Sequence, residues 1–315
     1  MSSDVSVAFD PQKVLNWKFQ DTEHTYTEKD TILYALGLGC GSDPEAPGDL
    51  SFVYEKGLLA LPTMPVVLAN PGNWLNSRES TVDYSMVLHG EQSLTLHRPV
   101  PPAGTLIGRA RIVELLDKGR EKGAVLYSER SILDKASGEP IATMGSTTML
   151  RGNGGWGGKP GPQPAPHRLP ETAPTTVLDL KTHANSALIY RLSGDRNPLH
   201  ADPEAATRGG FRMPILHGLL TFGVAGRALV AAACGGDPAR LQSMQVRFSS
   251  PVYPGETIRT ELWEAPPSPR LRGEGRGEGQ PQAPARDGGR QVSFRCRVVE
   301  RDVVVLNNGL ATVRD

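Results

Sequence analysis

Apolar positions along the chain follow two different rhythms. Segments 85–96, 107–115, 124–133 and 141–150 in the first half carry apolar residues at near-alternate positions, between turns rich in proline and glycine. Segments 243–249, 257–263, 292–300 and 303–312 repeat the pattern in the second half. A period of two bounded by turn residues predicts strands joined as antiparallel meanders. The other rhythm is helical. From Leu219 to about Cys234 nearly every residue is small or apolar, with Arg227 the lone charge and Gly235-Gly236 closing the run. That composition predicts a buried helix. Asp202 as N-cap and Pro203 as first residue predict a short helix just before it, ended by Gly209-Gly210. In the first half, Asp30 is placed to cap a helix through Leu38.

The two halves share a turn phrase. Arg-Pro-Val-Pro-Pro-Ala-Gly-Thr at 98–105 matches Ser-Pro-Val-Tyr-Pro-Gly-Glu-Thr at 250–257, which points to duplication of one unit. A helix covering one face of an antiparallel sheet, twice over, is an α+β architecture. The expected organisation is an N-terminal unit at 1–150, a Gly/Pro-rich linker at 151–172, and a C-terminal unit at 173–315. A second low-complexity stretch at 265–290 reads as a disordered insertion between two strands. Its Arg-Gly-Glu-Gly units alternate sign, which argues for a solvated loop over an RNA-binding segment.

Composition narrows the function classes. Of 315 residues, 34 are Lys or Arg and 34 are Asp or Glu, giving zero formal charge. No global field therefore favours nucleic acid or an anionic membrane. No apolar run approaches the roughly 18–20 residues that span a bilayer. The polar, acidic start is unlike a signal peptide. Cys40, Cys234 and Cys296 are scattered without ligand spacing, so a reduced compartment is expected rather than a disulfide framework. The final Val-Arg-Asp is not a peroxisomal tripeptide, and a bacterial cytoplasm is the expected location.

Candidate chemistry gathers at residues 190–200, Tyr-Arg-Leu-Ser-Gly-Asp-Arg-Asn-Pro-Leu-His. Asp195, Asn197 and His200 fall within six positions, with Gly194 loosening the backbone on one side and Pro198 stiffening it on the other. Paired titratable groups on a constrained loop suit proton transfer. The competing reading is an ordinary Asx-turn with a solvated histidine. Gly218 weighs against that alternative. It opens the buried helix, where a free N–H is available to an anionic oxygen. His217 beside it has no ligand partners at metal spacing, so no metal site is expected, and it reads as packing or hydrogen-bonding at the helix start. The second half alone carries this loop.

These residues resemble the signature of the MaoC-like hydratase 2 family, (R)-specific 2-enoyl-CoA hydratases. The form Y-x-L-S-G-D-x-N-P-L-H at 190–200 is followed by His-Gly-Leu at 217–219. The resemblance extends through Leu61-Pro62-Thr63, Leu88-His89-Gly90-Glu91-Gln92, Leu116-Asp117-Lys118-Gly119 and residues 247–255. It is strongest to the two-domain type found as the hydratase unit of peroxisomal multifunctional enzyme type 2. The resemblance implies a double hotdog fold and reversible hydration of trans-2-enoyl-CoA to (R)-3-hydroxyacyl-CoA in fatty-acid metabolism. It also implies that Asp195, His200, Asn197 and the Gly218 N–H carry the chemistry. By matched position it implies acyl-CoA contacts at His89, Gly90, Lys118, Arg196, Pro198, Leu199 and Phe248, with Glu55 near the site in a structural role; from the residues alone Lys118 also reads as a turn lysine and Phe248 as core filling. The first half, lacking the loop, is then free to widen for an acyl tail. No cofactor beyond the CoA of the substrate and a homodimeric state are expected. Two other functions remain on the table. A hotdog thioesterase needs a carboxylate on the long helix, which has none; a non-catalytic acyl-CoA binder has no use for an acid/imidazole pair.

Overall fold

The computed structural model describes residues 8–45, 47–264 and 289–315. In chain order the first half holds α1 (Pro11–Leu15), β1 (Thr22–Tyr26), α2 (Glu28–Gly37), α3 (Leu50–Val53), β2 (Val87–Leu96), β3 (Gly104–Asp117), β4 (Ala124–Asp134) and β5 (Pro140–Leu150). The second half holds β6 (Thr176–Lys181), α4 (Ser186–Tyr190), α5 (Pro203–Arg208), α6 (Gly218–Ala233), β7 (Leu241–Phe248), β8 (Thr257–Glu264), β9 (Arg290–Val298) and β10 (Val303–Val313). Among the described residues the ten strands form one antiparallel sheet, ordered β1-β3-β4-β5-β2-β7-β10-β9-β8-β6. Read outward from the centre, the two halves give the same sequence of equivalent strands. The duplication suggested by the turn phrase is thus built into the topology, and the architecture is the α+β double hotdog.

The halves meet where β2 pairs with β7, Glu91 opposite Arg247 and Leu94 opposite Met244. An ion pair of 2.7 Å between Glu91 and Arg247 marks this seam. One buried core runs through both halves, from Tyr34, Leu61 and Leu94 to Leu220, Phe222 and Phe294. The 1–150 and 173–315 units are therefore halves of one sheet and one core.

The eight strands expected from alternation are all present, with ends shifted by a few residues. β1 and β6 were not expected. Both are short edge strands whose alternation (Thr-Glu-His-Thr-Tyr in β1) lacks an apolar run. The α2 cap also differs. Thr27 is the N-cap, and Asp30, three residues on, accepts from both its N–H (2.8 Å) and its hydroxyl (2.7 Å). A Thr/Asp reciprocal cap satisfies helix donors that Asp30 alone, as N-cap, would leave open.

The larger difference concerns the long helix. α6 precedes β7 and lies against β6, β7, β8 and β10. Leu220, Phe222, Val224, Ala225, Ala228 and Leu229 are buried on it, each large side chain stabilising by about 1.5–3 kcal/mol. Gly235 and Gly236, both at positive φ, end it as expected. At the matching place before β2, the first half has only short 3-10 turns, among them Met64–Val66. Pro62, Pro65 and Pro71 interrupt any longer helix there. Helix α2 instead occupies the chain position of α4. The first-half helix expected through Leu38 is α2, 10 residues long, and among the described residues only the C-terminal half carries a helix as long as the 16-residue α6.

The 151–172 segment is less free than its composition implied. The Asp117 carboxylate accepts backbone N–H bonds from Gly155 (2.7 Å), Gly157 (2.7 Å) and Gly158 (3.2 Å), and Trp263 Nε1 donates to Thr172 O at 2.7 Å. The linker is fastened to both halves. The insertion expected at 265–290 lies outside the described residues up to 288, and Arg290 already belongs to β9.

Candidate active site

The loop between α4 and α5 builds its own scaffold. Gly194 sits at φ 128°, a conformation open to glycine. Asp195 Oδ1 accepts the Asn197 N–H at 3.1 Å, and Asn197 Oδ1 accepts the Leu199 N–H at 3.0 Å. Asn197 thereby caps the 3-10 turn Pro198–His200, with Pro198 as its first residue. This turn carries the His200 ring inward. His200 is buried while Asp195 stays exposed to solvent.

Protonation of the rings follows from their partners. His200 Nδ1 lies 2.9 Å from the carbonyl oxygen of Ile215. A carbonyl only accepts, so Nδ1 carries the hydrogen and Nε2 keeps a lone pair. Burial lowers the His200 pKa, while the Ile215 bond and the Asp195 charge pull it up. His200 is thus a neutral base in a dry place. His217 stacks on it, ring centroids 3.7 Å apart at 29°, and its Nε2 lies 3.1 Å from the Asp195 carbonyl oxygen.

Gly218 begins α6 immediately after His217. As the first helical residue its N–H has no acceptor within the helix, and it sits at the positive end of the helix dipole. Gly218 is exposed, as an oxyanion donor must be. A Cβ there would stand 3.2 Å from the Phe248 ring. Phe248 ends β7 and packs on His89 of β2, centroids 4.7 Å apart. The structure therefore brings His89, Phe248 and Gly218 together from three elements, next to the Asp195–His200 pair. His89 Nε2 lies 3.1 Å from both Glu91 O and Ser146 Oγ, and burial pushes its pKa down to about 4. Gly90 is the bulge between His89 and Glu91, where a Cβ would meet the Thr147 carbonyl oxygen at 3.2 Å.

A cavity of about 290 Å³ opens beside this cluster. Its floor is the first-half sheet (Val87, Leu126, Met144), its roof the Asn70–Leu75 stretch, and Leu219 of α6 stands at one side. Lys118 lines a separate surface cleft with Lys122 and Arg151, its ammonium donating to the Pro160 carbonyl. Arg196 and Pro198 are exposed and Leu199 is half-buried on the catalytic loop. Glu55 stands exposed in the turn after α3, its carbonyl accepting from Leu58 at 3.4 Å, and its side chain is not part of the cluster.

Two family models cover most of the chain. The MaoC like domain matches residues 166–270, and the MFE-2 hydratase 2 N-terminal domain matches residues 24–152. A 3-hydroxyacyl-thioester dehydratase Y of Mycobacterium tuberculosis is 43% identical over 77% of this chain and 83% of its own length. The chain belongs to the MaoC-like hydratase 2 family. A probable enoyl-CoA hydratase 2 of Dictyostelium discoideum is 42% identical over 82% of this chain and 88% of its own. A MaoC-like dehydratase from Phytophthora capsici has a solved structure at TM-score 0.78 and 36% identity, covering 97% of this chain and 99% of that one. A mycobacterial protein described as a double hotdog shares the fold at TM-score 0.54 and 16% identity.

In this hydratase 2 member His217 packs and hydrogen-bonds at the helix start as expected, on partners the sequence did not name. Only the tertiary contacts, with Asp195 in the chain's preceding loop and with His200, show its involvement. By donor type, Asp195, His200 and His217 could hold a metal ion, their ligand atoms lying within 4.8 Å of one another. An ion bound by both imidazoles must lie near both ring planes. Face-to-face stacking at 3.7 Å places it well out of at least one plane, so the arrangement suits proton transfer better than ligation. The segment roofing the cavity was also missed, because its contacts follow no period.

The buried histidines set a pH dependence. His200, His217 and His89 all have pKa values depressed chiefly by burial. Each binds a proton more readily when unfolded, so each contributes stability above about pH 6.5 that is lost as pH falls through its lowered folded value, which is about 4 for His89 and His217. Activity should share the sign, since only neutral His200 accepts a proton. The acid limb of kcat/KM is expected below the ordinary histidine value of about 6.5. A pH-rate profile checks this, and a limb above 7 would contradict the buried neutral base.

Proposed function

We propose that the protein catalyses reversible syn hydration of trans-2-enoyl-CoA to (R)-3-hydroxyacyl-CoA. The observation that carries this reading is His200, neutral with its Nε2 lone pair free, beside Asp195 and close to the exposed Gly218 N–H. A water held between Asp195 and His200 loses a proton to the pair as its oxygen bonds to the β-carbon. The π electrons move onto the thioester oxygen, where the Gly218 N–H stabilises the enolate. The enolate collapses as the pair returns a proton to the α-carbon, so one water is added and the pair is regenerated. Asn197 holds the loop in shape. The acyl tail extends past Leu219 and His89 into the first-half cavity, and Lys118 meets the CoA phosphates as a point charge.

Because both groups stand on one side, hydroxyl and hydrogen add to one face. The product is expected to be a single enantiomer. Incubation with crotonyl-CoA, followed by oxidation with dehydrogenases of known hand, tests this. Oxidation by the S-specific enzyme would overturn the assigned hand, and a racemate would overturn the one-sided site. Release of free CoA would instead indicate a thioesterase, for which α6 offers no carboxylate.

The chemistry described uses side chains, backbone and water, so we take no cofactor to be needed. Among the described residues no helix is long and apolar enough to cross a membrane. A cytoplasmic location without membrane or nucleic-acid partners is part of the proposal, and the balanced charge is consistent with it. A homodimer is the proposed state, to be read by analytical ultracentrifugation.

A further inference from the structure

We propose that His217 is the positioning residue of this site, its Nε2–H holding the acid/base loop in register with the oxyanion donor. This rests on the hydratase reading above. Three observations converge on one side chain. His217 Nε2 lies 3.1 Å from the backbone carbonyl oxygen of Asp195, which only accepts, so Nε2 is the donor. The imidazole stacks on His200 at 3.7 Å, fixing the plane of the ring whose Nδ1 is already held by Ile215. His217 is also the N-cap of α6, so the next residue is Gly218 itself. One residue thus touches the acid's backbone and the base's ring, and directly precedes the N–H at the thioester oxygen. Asp195 and His217 are 22 residues apart in sequence, so this bond ties the loop to the helix start.

Histidine is a poor choice here for packing alone. Its ring is 1% exposed, and Nδ1 is buried without a hydrogen-bond partner. An apolar side chain of similar size would fill the place without leaving a ring nitrogen unpaired. The groups facing the ring are His200, Tyr190, Asp195 and Arg191. Burial and the neighbouring His200 keep it neutral, with the Asp195 charge and carbonyl pulling the other way. A neutral ring on this carbonyl donates only from Nε2. His217 touches neither water nor substrate in the mechanism, and it acts through Asp195, His200 and Gly218.

Three variants separate hydrogen bonding from packing. His217→Gln keeps an amide donor at nearly the reach of Nε2 but loses the ring. His217→Phe keeps a stacking ring and loses the donor, and His217→Met keeps neither. Turnover of crotonyl-CoA by the unaltered protein is measured first, and its absence would refute the hydratase reading itself. With that activity in hand, kcat is expected to fall less than about tenfold for Gln and about 100-fold or more for Phe and Met, with KM nearly unchanged. A pure packing role reverses the order, Phe retaining activity and Gln losing it, and that result would overturn the proposal. Thermal melting accompanies each variant. Should the Phe protein fail to fold, Gln against Met, equal in length and differing in the donor, decides alone: equal kcat values would overturn it.

Discussion

Asp195→Asn and His200→Ala are each expected to lower kcat by about 10²–10⁴-fold or more, the usual contribution of a positioned acid–base group. The Asn substitution keeps an oxygen where Oδ1 accepts the Asn197 N–H, so the loop keeps its turn while the charge and basicity are lost. His200→Ala removes the free Nε2 and leaves the Ile215 carbonyl without this partner, at a cost of about 1–3 kcal/mol in stability. Melting temperature should therefore move more for His200→Ala than for Asp195→Asn, whereas both lose turnover. Because the two act on one water, the double variant is expected to be little worse than the weaker single one. Steady-state kinetics on folded protein check this. Near-native turnover by either variant would remove the mechanism.

Gly218→Pro is expected to cost about 10²–10³-fold in kcat, close to 3–4 kcal/mol, the measured scale for losing one oxyanion donor. The substitution deletes the N–H and sets the ring Cδ where that hydrogen pointed, so the loss is at least that of the donor. Proline is well tolerated as the first helical residue, and His217 at φ −59°, ψ 138° already has the backbone that a following proline requires. The control is Gly218→Ala. Both side chains place a Cβ about 3.2 Å from the Phe248 ring, which must give by a few tenths of an ångström. Only proline loses the donor. Equal kcat for the two variants would show that Gly218 serves close packing and that the thioester oxygen is held elsewhere.

Much of this site was legible before any coordinates. Asp195, Asn197 and His200 fall within six positions, and local rules govern such a segment: glycine for the positive φ, asparagine as cap, proline to open the turn. The α6 helix is equally local, since a run of small and apolar residues with a single charge, closed by two glycines, has few other folds. Glu55 marks the opposite limit. A matched position identified it, and the structure places it on an exposed turn, with its side chain outside the cluster.

By itself the sequence determined eight of the ten described strands, the long helix and the acid/base loop, because each depends on neighbours a few residues away, and the duplication, because its two turn phrases can be compared directly. Tertiary structure alone decided the rest. The first half and second half join through β2 and β7 into one sheet, and α6 approaches the first half where Gly223 faces Leu38 and Gly226 faces Thr63. His89, Phe248 and Gly218 meet from β2, β7 and α6, and His217 finds the Asp195 carbonyl across 22 residues. Such contacts are chosen by the summed packing of the whole core, in which burial rewards any residue that fills the space. No periodicity records which distant partner a side chain will meet.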